Sequence, residues 1–219
     1  MTSPLTIALT KGRLLQESLP LLRSTGIEIP EYAGDDRHLM FNSGCDNYRF
    51  LVVRGGDITT YLQLGAAAVG IVGRDMLLES DGENLYEMLD LGIARCRLMT
   101  AAATDRPKDD TQRQLRVATK YGNIARRHYA ANGRQVQLIR LYGSLELAPR
   151  IGIADEIVDI VDTGHTLKSN GLEPLELIVE ISARLAVNKA AMRIHHDQIL
   201  DLRERLAKVV PATRDGNGA

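Results

Sequence analysis

The stretch Ile157-Val158-Asp159-Ile160-Val161-Asp162-Thr163-Gly164-His165-Thr166-Leu167 constrains this chain more than any other. A near-continuous Val/Ile run reads as a strand buried on both faces, and such strands belong to parallel sheets covered by helices. A carboxylate inside or at the end of that run needs a reason, because an unpaired buried charge is costly. Asp162 stands where the strand gives out, and Thr163, Gly164 and Thr166 follow at the expected start of a helix. Gly164 lets the backbone turn tightly there, while hydroxyls and free N–H groups can face a phosphate at the positive helix end. An acid on sugar hydroxyls beside a Thr/Gly nest on a phosphate is what a phosphorylated ribose requires. The same string also suits a helix capped by Asp162 or Thr163 with no ligand at all. Asp159 reads either as a second ribose ligand or as a residue on the solvated side of the strand. His165 occupies the variable place in the loop, with no catalytic part, and Leu167 closes it.

The rest of the chain alternates in a similar way. Leu5–Leu9 reads as a first strand, and Lys11-Gly12-Arg13 ends it. Leu15, Leu19 and Leu22 then recur at helical spacing, with Pro20 predicting a kink or a late helix start. Phe50–Val53 is a second strand ended by Arg54-Gly55-Gly56-Asp57, where Asp57 is placed to cap a helix from Ile58 to Leu64. Val69–Val72 is a third, running into Gly73-Arg74-Asp75 and a short helix. Arg106 to Gln114 reads as a polar surface loop. Beyond it come a strand at Leu115–Ala118, a helix at Ile124–Asn132 closed by Gly133, a strand at Val136–Arg140, a short helix at Ser144–Ala148 and the Glu156–Val161 strand. A last strand is expected at Leu175–Ile181. From about Asn188 the pattern turns helical, and Met192, Ile199, Leu202, Leu206 and Val209 form one apolar stripe suited to packing on its own lobe or to assembly. Two strand–helix series with a seam near 95–105 predict two α/β lobes and a cleft between them. Lobe I is expected at 1–95 plus 184–219, and lobe II, with the Asp162 loop, at 96–183.

Basic residues follow three separate strands: Lys11 and Arg13, Arg54, and Arg74. Each is by itself ordinary as a solvated surface charge. In open α/β sheets, however, ligands bind beyond the carboxyl ends of the strands, so these side chains can converge on one site. Transfer at an anomeric carbon builds positive charge on the sugar while pyrophosphate leaves with negative charge, and cations on the leaving oxygens stabilise that separation. The net charge of −1 over 219 residues supplies no field for a long polyanion, which disfavours nucleic-acid binding. No apolar run approaches the roughly 20 residues that span a bilayer, and Met1-Thr2-Ser3-Pro4-Leu5 does not read as a secretion signal. Cys45 and Cys96 lack metal-type spacing, fit a reducing cytoplasm and read as inert. Neither a Walker A string nor a G-x-G-x-x-G after a strand occurs, which disfavours P-loop NTPases and dinucleotide dehydrogenases. The polar tail from Pro211 to Ala219 is expected to be disordered.

Several ordered segments carry a resemblance: L-T-I-A-L-T-K-G-R at the start, V-V-R-G-G-D-I-T-T-Y, V-G-I-V-G-R-D-M-L-L-E, R-V-A-T-K-Y-G-N-I-A-R-R, L-Y-G-S-L-E-L-A-P, and most of all Glu146 to Leu167. On these the chain resembles the ATP phosphoribosyltransferases that open histidine biosynthesis. One departure is Thr10, where many relatives have proline before the Lys-Gly-Arg. The resemblance implies a fold like that of type II periplasmic binding proteins, with the active site in the inter-lobe cleft. It also implies attack of N1 of the adenine of ATP on phosphoribosyl pyrophosphate, assisted by Mg²⁺ carried on substrate phosphates with no metal-ligating residues of the protein. By the same resemblance, Asp159, Asp162, Thr163, Gly164, His165, Thr166 and Leu167 form the phosphoribosyl pyrophosphate loop. Lys11, Arg13 and Arg54 act on pyrophosphate or nucleotide phosphates. Gly12, Gly73, Arg74 and Asp75 line the nucleotide site from lobe I, and Lys120, Tyr121, Gly143, Ser144 and Glu146 from lobe II, although Glu146 is equally suited to partnering a helix start. The chain's length matches the short form of the family, which implies a regulatory subunit similar to histidyl-tRNA synthetase in a hetero-octamer. His195 and His196 read as helix-face residues with no metal role. Other readings are a different phosphoribosyltransferase or a non-catalytic small-molecule binder of the periplasmic type.

Overall fold

The computed structural model describes residues 3–31, 33, 37–44, 47–105 and 114–210. Cys45, positions 106–113 of the expected surface loop and the tail from Pro211 lie outside the described residues. The chain forms two compact units, Met1–Ala94 with Ser182–Ala219, and Arg95–Ile181. The first begins with β1 (Leu5–Thr10), α1 (Arg13–Ser24), β2 (Met40–Asn42), β3 (Tyr48–Val53), α2 (Ile58–Gln63), β4 (Val69–Gly73), α3 (Arg74–Glu79) and β5 (Leu85–Asp90). The second consists of β6 (Cys96–Ala103), β7 (Leu115–Thr119), α4 (Gly122–Ala131), β8 (Val136–Arg140), α5 (Leu147–Arg150), β9 (Glu156–Val161), α6 (His165–Ser169) and β10 (Leu172–Ile181). The chain then returns to the first unit through β11 (Ala183–Asn188), α7 (Lys189–Ile194) and α8 (His196–Val209).

Alternation along the central strands explains how the first sheet is covered on both faces. Its order is β2-β3-β1-β4-β11-β5, with β3, β1 and β4 mutually parallel neighbours. Leu5, Ile7 and Leu9 of β1 enter one core with Leu14, Leu19 and Leu22 of α1 and Ile199, Leu202 and Leu206 of α8. Ala8, between them, faces the opposite core with Ile58 and Leu62 of α2 and Leu77 of α3. β11 does the same, sending Leu185 and Val187 to the first core and Ala186 to the second. The second sheet has the order β10-β6-β9-β7-β8, in which β9, β7 and β8 are parallel neighbours.

Several expectations need correction. Helix α1 starts at Arg13 and runs through Pro20 to Ser24, so the proline causes no late start. Pro20 is exposed, and the lost N–H bond is outweighed by the buried leucines on the other face of the helix. Asp57 holds the cap position of α2, but its side chain makes no capping bond, and the helix ends at Gln63. The helix expected at Ser144–Ala148 is α5, at Leu147–Arg150, because Ser144 takes φ +50 and cannot be helical. The last strand is not Leu175–Ile181 but the longer β10, followed by a further strand, β11, in the other sheet. Asn188 does mark the helical start. Its buried side chain accepts from Ala191 N at 2.8 Å and donates to Leu62 O at 2.8 Å. The apolar stripe divides between α7 and α8, and Ile199, Leu202 and Leu206 lie wholly inside their own unit.

A buried acid anchors the start of β9. Glu156 is 3% exposed, accepts the Tyr129 hydroxyl at 2.6 Å and has Arg134 Nη2 at 3.6 Å. Burial and the neighbouring carboxylate hold the Tyr129 phenol well above its ordinary range. The folded chain therefore keeps this proton at pH values where the unfolded tyrosine, near pH 10, has lost it. The linked stability is fully present below pH ~10 and falls as pH rises beyond it. Urea unfolding from pH 8 to 11 should show that decline, and Tyr129→Phe should flatten it while costing about 1–3 kcal/mol at pH 8.

Candidate functional site

In the first unit, three adjacent parallel strands end side by side, and the expected residues of that unit lie at those strand ends, in the turns after them or in the first turns of the helices that follow. After β3, Arg54 O accepts Asp57 N–H at 3.0 Å, closing a tight turn before α2. The Arg54 side chain is exposed and has no hydrogen-bond or ion-pair partner among the described residues. After β1, Lys11 N donates to Val53 O at 2.8 Å, so the next turn is tied to the β3 end. Gly12 caps α1 at φ +96, a conformation that favours glycine, and no side chain caps this helix start. Arg13 Nε pairs with Glu17 Oε1 at 2.7 Å, and Glu17 Oε2 accepts Ala94 N–H at 2.6 Å. The guanidinium is thus held on the helix side of its turn.

After β4, Asp75 is buried in the first turn of α3, where negative charge suits the helix dipole. A Cβ at Gly73 would lie 2.2 Å from Asp75 Oδ1, so glycine is what lets this carboxylate fold back over the strand end. Arg74 differs from the other cations. Its Nε lies 3.9 Å from Glu87 Oε1 of β5, and Arg184 shares that carboxylate at 3.2 Å while pairing with Asp90 at 3.1 Å. Arg74 is therefore directed along the sheet toward β5, within a network of structural charges.

The second unit repeats the pattern with β9, β7 and β8. At the end of β9, Asp162 and Thr163 are exposed, and Gly164 takes φ +79 as the cap of α6. Gly164, not Asp162 or Thr163, thus occupies the cap position, and Thr163 Oγ1 accepts His165 N–H at 3.4 Å. His165 and Thr166 are exposed, whereas Leu167 packs into the core with Leu145 and Ala148 and anchors the loop from beneath. Its side chain is therefore unavailable at the surface. Asp159 is half-buried on the same strand face as Ile157 and Val161, which lie in that core, so it does not stand on a solvated face.

After β7, Lys120 Nζ lies 4.8 Å from the centre of the Tyr121 ring. Tyr121 is 1% exposed, so its ring serves packing and this cation contact and offers no open stacking surface. After β8, Gly143 is exposed with open space around it, and Ser144 O accepts Leu147 N–H at 3.2 Å. Glu146 holds the α5 cap position without a capping bond from its side chain. In each unit the expected residues stand at or beyond the carboxyl ends of parallel strands, except Asp159, which lies within β9. Among the described residues no group of three or more His, Cys, Asp or Glu side chains could hold a metal ion.

The family model for HisG, ATP phosphoribosyltransferase, matches residues 54–208, well over half of the chain. The chain belongs to the ATP phosphoribosyltransferase family. An ATP phosphoribosyltransferase of Marinobacter nauticus is 52% identical over 215 residues, covering 98% of this chain and 100% of the relative. Among solved structures, the ATP phosphoribosyl transferase (HisG:HisZ) complex from Thermotoga maritima superposes with a TM-score of 0.79 at 32% identity, over 94% of this chain and 98% of the other. The periplasmic aliphatic sulphonate binding protein SsuA from Escherichia coli shares the fold at 15% identity, with a TM-score of 0.59 over 98% of this chain and 75% of that protein. Both the ATP phosphoribosyltransferase resemblance and the likeness to periplasmic binding proteins read from the sequence are thereby borne out.

Proposed function

We infer that this chain transfers the phosphoribosyl group of phosphoribosyl pyrophosphate to N1 of the adenine of ATP, releasing pyrophosphate in the first step of histidine biosynthesis. The observation that carries this reading is the family match, which runs from Arg54 through the Asp162–Thr166 loop. The chemistry asks for little beyond positioning and charge. Adenine N1 attacks with its own lone pair, so no general base is required, and the barrier is lowered by orienting the reactants and stabilising the departing pyrophosphate. Exposed Asp162 would accept ribose hydroxyls, with Asp159 behind it in the strand. Thr163, Thr166 and the N–H groups following Gly164 would receive the 5-phosphate. Lys11, Arg13 and Arg54 would take pyrophosphate or nucleotide oxygens. Mg²⁺ fits as an ion carried on substrate phosphates and water, because such sites commonly use few protein ligands.

By its likeness to the Thermotoga HisG:HisZ complex the chain would work with a HisZ-like subunit. The resemblance to the short form of the family adds that this subunit is regulatory, similar to histidyl-tRNA synthetase, and assembled in a hetero-octamer. A cytoplasmic location follows from a biosynthetic role, and among the described residues no helix is long and apolar enough to cross a membrane. The test is direct. The chain, with and without that subunit, is incubated with ATP, phosphoribosyl pyrophosphate and Mg²⁺, and the N1-ribosylated nucleotide is followed. Its formation is expected in the presence of the subunit, and no product under either condition sinks the reading.

A further inference from the structure

We propose that Thr10 and Thr119 are equivalent positioning residues, one in each unit, whose side chains fix the spacing between neighbouring turns of the site. Both end a central parallel strand and both are followed by lysine, Lys11 and Lys120, and then by a helix. The paired register of β1 with β4 runs from Ile7↔Val69 to Leu9↔Ile71. One residue beyond it, Thr10 Oγ1 donates to Ile71 O at 3.1 Å. The register of β7 with β9 likewise stops at Thr119↔Val158, and Thr119 Oγ1 donates to Val158 O at 2.7 Å. In each unit a hydroxyl thus bonds the neighbouring strand where the paired register runs out.

What these bonds join gives them their consequence. Ile71 lies two residues before Gly73 and four before Asp75, while the Thr10 methyl faces the other flank. There a Cβ on Gly55 would come within 3.3 Å of Thr10 Cγ2. One side chain therefore meets the turn carrying Arg54 and the strand leading to Asp75, from a position next to Lys11. Thr119 is 1% exposed, and its oxygen also accepts Tyr121 N–H at 2.9 Å. It relays from the backbone beside Lys120 to the residue preceding Asp159, on the strand that ends at Asp162. A β-branched side chain is stiff at χ1, so threonine sets the hydroxyl's position more firmly than serine could.

The proposal rests on the reaction inferred above, and its test separates the two. Thr119→Val and Thr10→Val keep the shape and remove the hydroxyl, whereas Thr119→Ser and Thr10→Ser keep it. kcat and KM for both substrates are measured on the full chain with its regulatory subunit, beside Tm. Misplacement by a fraction of an ångström predicts kcat lower by about 10- to 100-fold in the valine variants, with KM nearly unchanged. The serine variants should recover most of that loss. Valine variants with wild-type kcat, a change confined to KM, or serine variants as impaired as valine ones would each overturn the proposal. Should Thr119→Val not fold, the part-buried Thr10→Val decides by the same measures. A wild-type chain that makes no product removes the reaction and this proposal together, while an active wild type with indifferent variants removes this proposal alone.

Discussion

Arg54→Ala is expected to lower kcat/KM by about 100- to 1,000-fold, the loss typical when one group stabilising transition-state charge is removed. Little change in Tm should accompany it. The turn after β3 is closed by the Arg54 carbonyl and Asp57 N–H, which alanine keeps, and the guanidinium has no partner among the described residues whose loss would be felt. Surface substitutions of that kind usually fall within about 0.5 kcal/mol. Arg54→Lys should recover only part of the rate, because an ammonium lacks the planar fork that grips two phosphate oxygens at once. Asp162→Asn is the companion from the second unit. It should raise KM for phosphoribosyl pyrophosphate as well as lower kcat, since ribose hydroxyls are bound in the ground state too. Steady-state kinetics with both substrates, read beside thermal melts, check both variants. Near-normal kinetics in Arg54→Ala and Asp162→Asn would mean that the site lies elsewhere.

The places of these two residues just after strands were legible from the sequence because of the aliphatic runs that precede them. Strands β1, β4, β8 and β9 announce themselves through Ile, Leu and Val, and the polar residue following such a run marks a strand end. The elements that escaped are of another composition. β5 (LYEMLD), β6 (CRLMTAAA) and β11 (ARLAVN) are rich in Leu, Met and Ala, which favour helices when read locally. β6 and β11 are strands because antiparallel partners and burial on both faces impose that state, and the edge strand β5 because it pairs with β11, a tertiary effect no local pattern carries. The same limit applies to the site. A lysine or arginine after a strand is visible, but the order β3-β1-β4 that makes three such turns neighbours is not. Nor could the sequence assign direction within a turn. Arg74 follows its strand as Arg54 does, yet it is drawn to Glu87 on β5. Tyr121, which caps α4, and Leu167, within α6, have their side chains in the core. The Thr-Lys pair that ends both β1 and β7 was the available signal for the hydroxyl ties, and it becomes readable only once each threonine is seen bonded to the next strand.

Leu202→Ala should destabilise the chain by about 2–5 kcal/mol, enough to lower Tm by several degrees or more. Leu202 is fully buried, in one cluster with Ile199 and Leu206 of α8 and with Leu14, Leu19 and Leu22 of α1. Alanine leaves a cavity between two helices and the β1 face, and the close-packed surroundings can collapse into it only partly. The measurement also decides what the apolar stripe of the last helix is for. A stripe kept for assembly would tolerate truncation in the isolated chain and show its cost only in binding to the regulatory subunit. A stripe belonging to the unit's own core shows the cost in the isolated chain, by urea or thermal unfolding, before any partner is added. The 0% exposure of Ile199, Leu202 and Leu206 predicts the second result. A Leu202→Ala chain as stable as wild type, with weakened binding to the subunit, would reverse that assignment. The loss should be felt at the site as well, since Leu9 shares this core and Thr10 and Lys11 follow it directly. Residual activity measured below the melting transition should therefore fall less than in Arg54→Ala, and it should fall in kcat more than in KM.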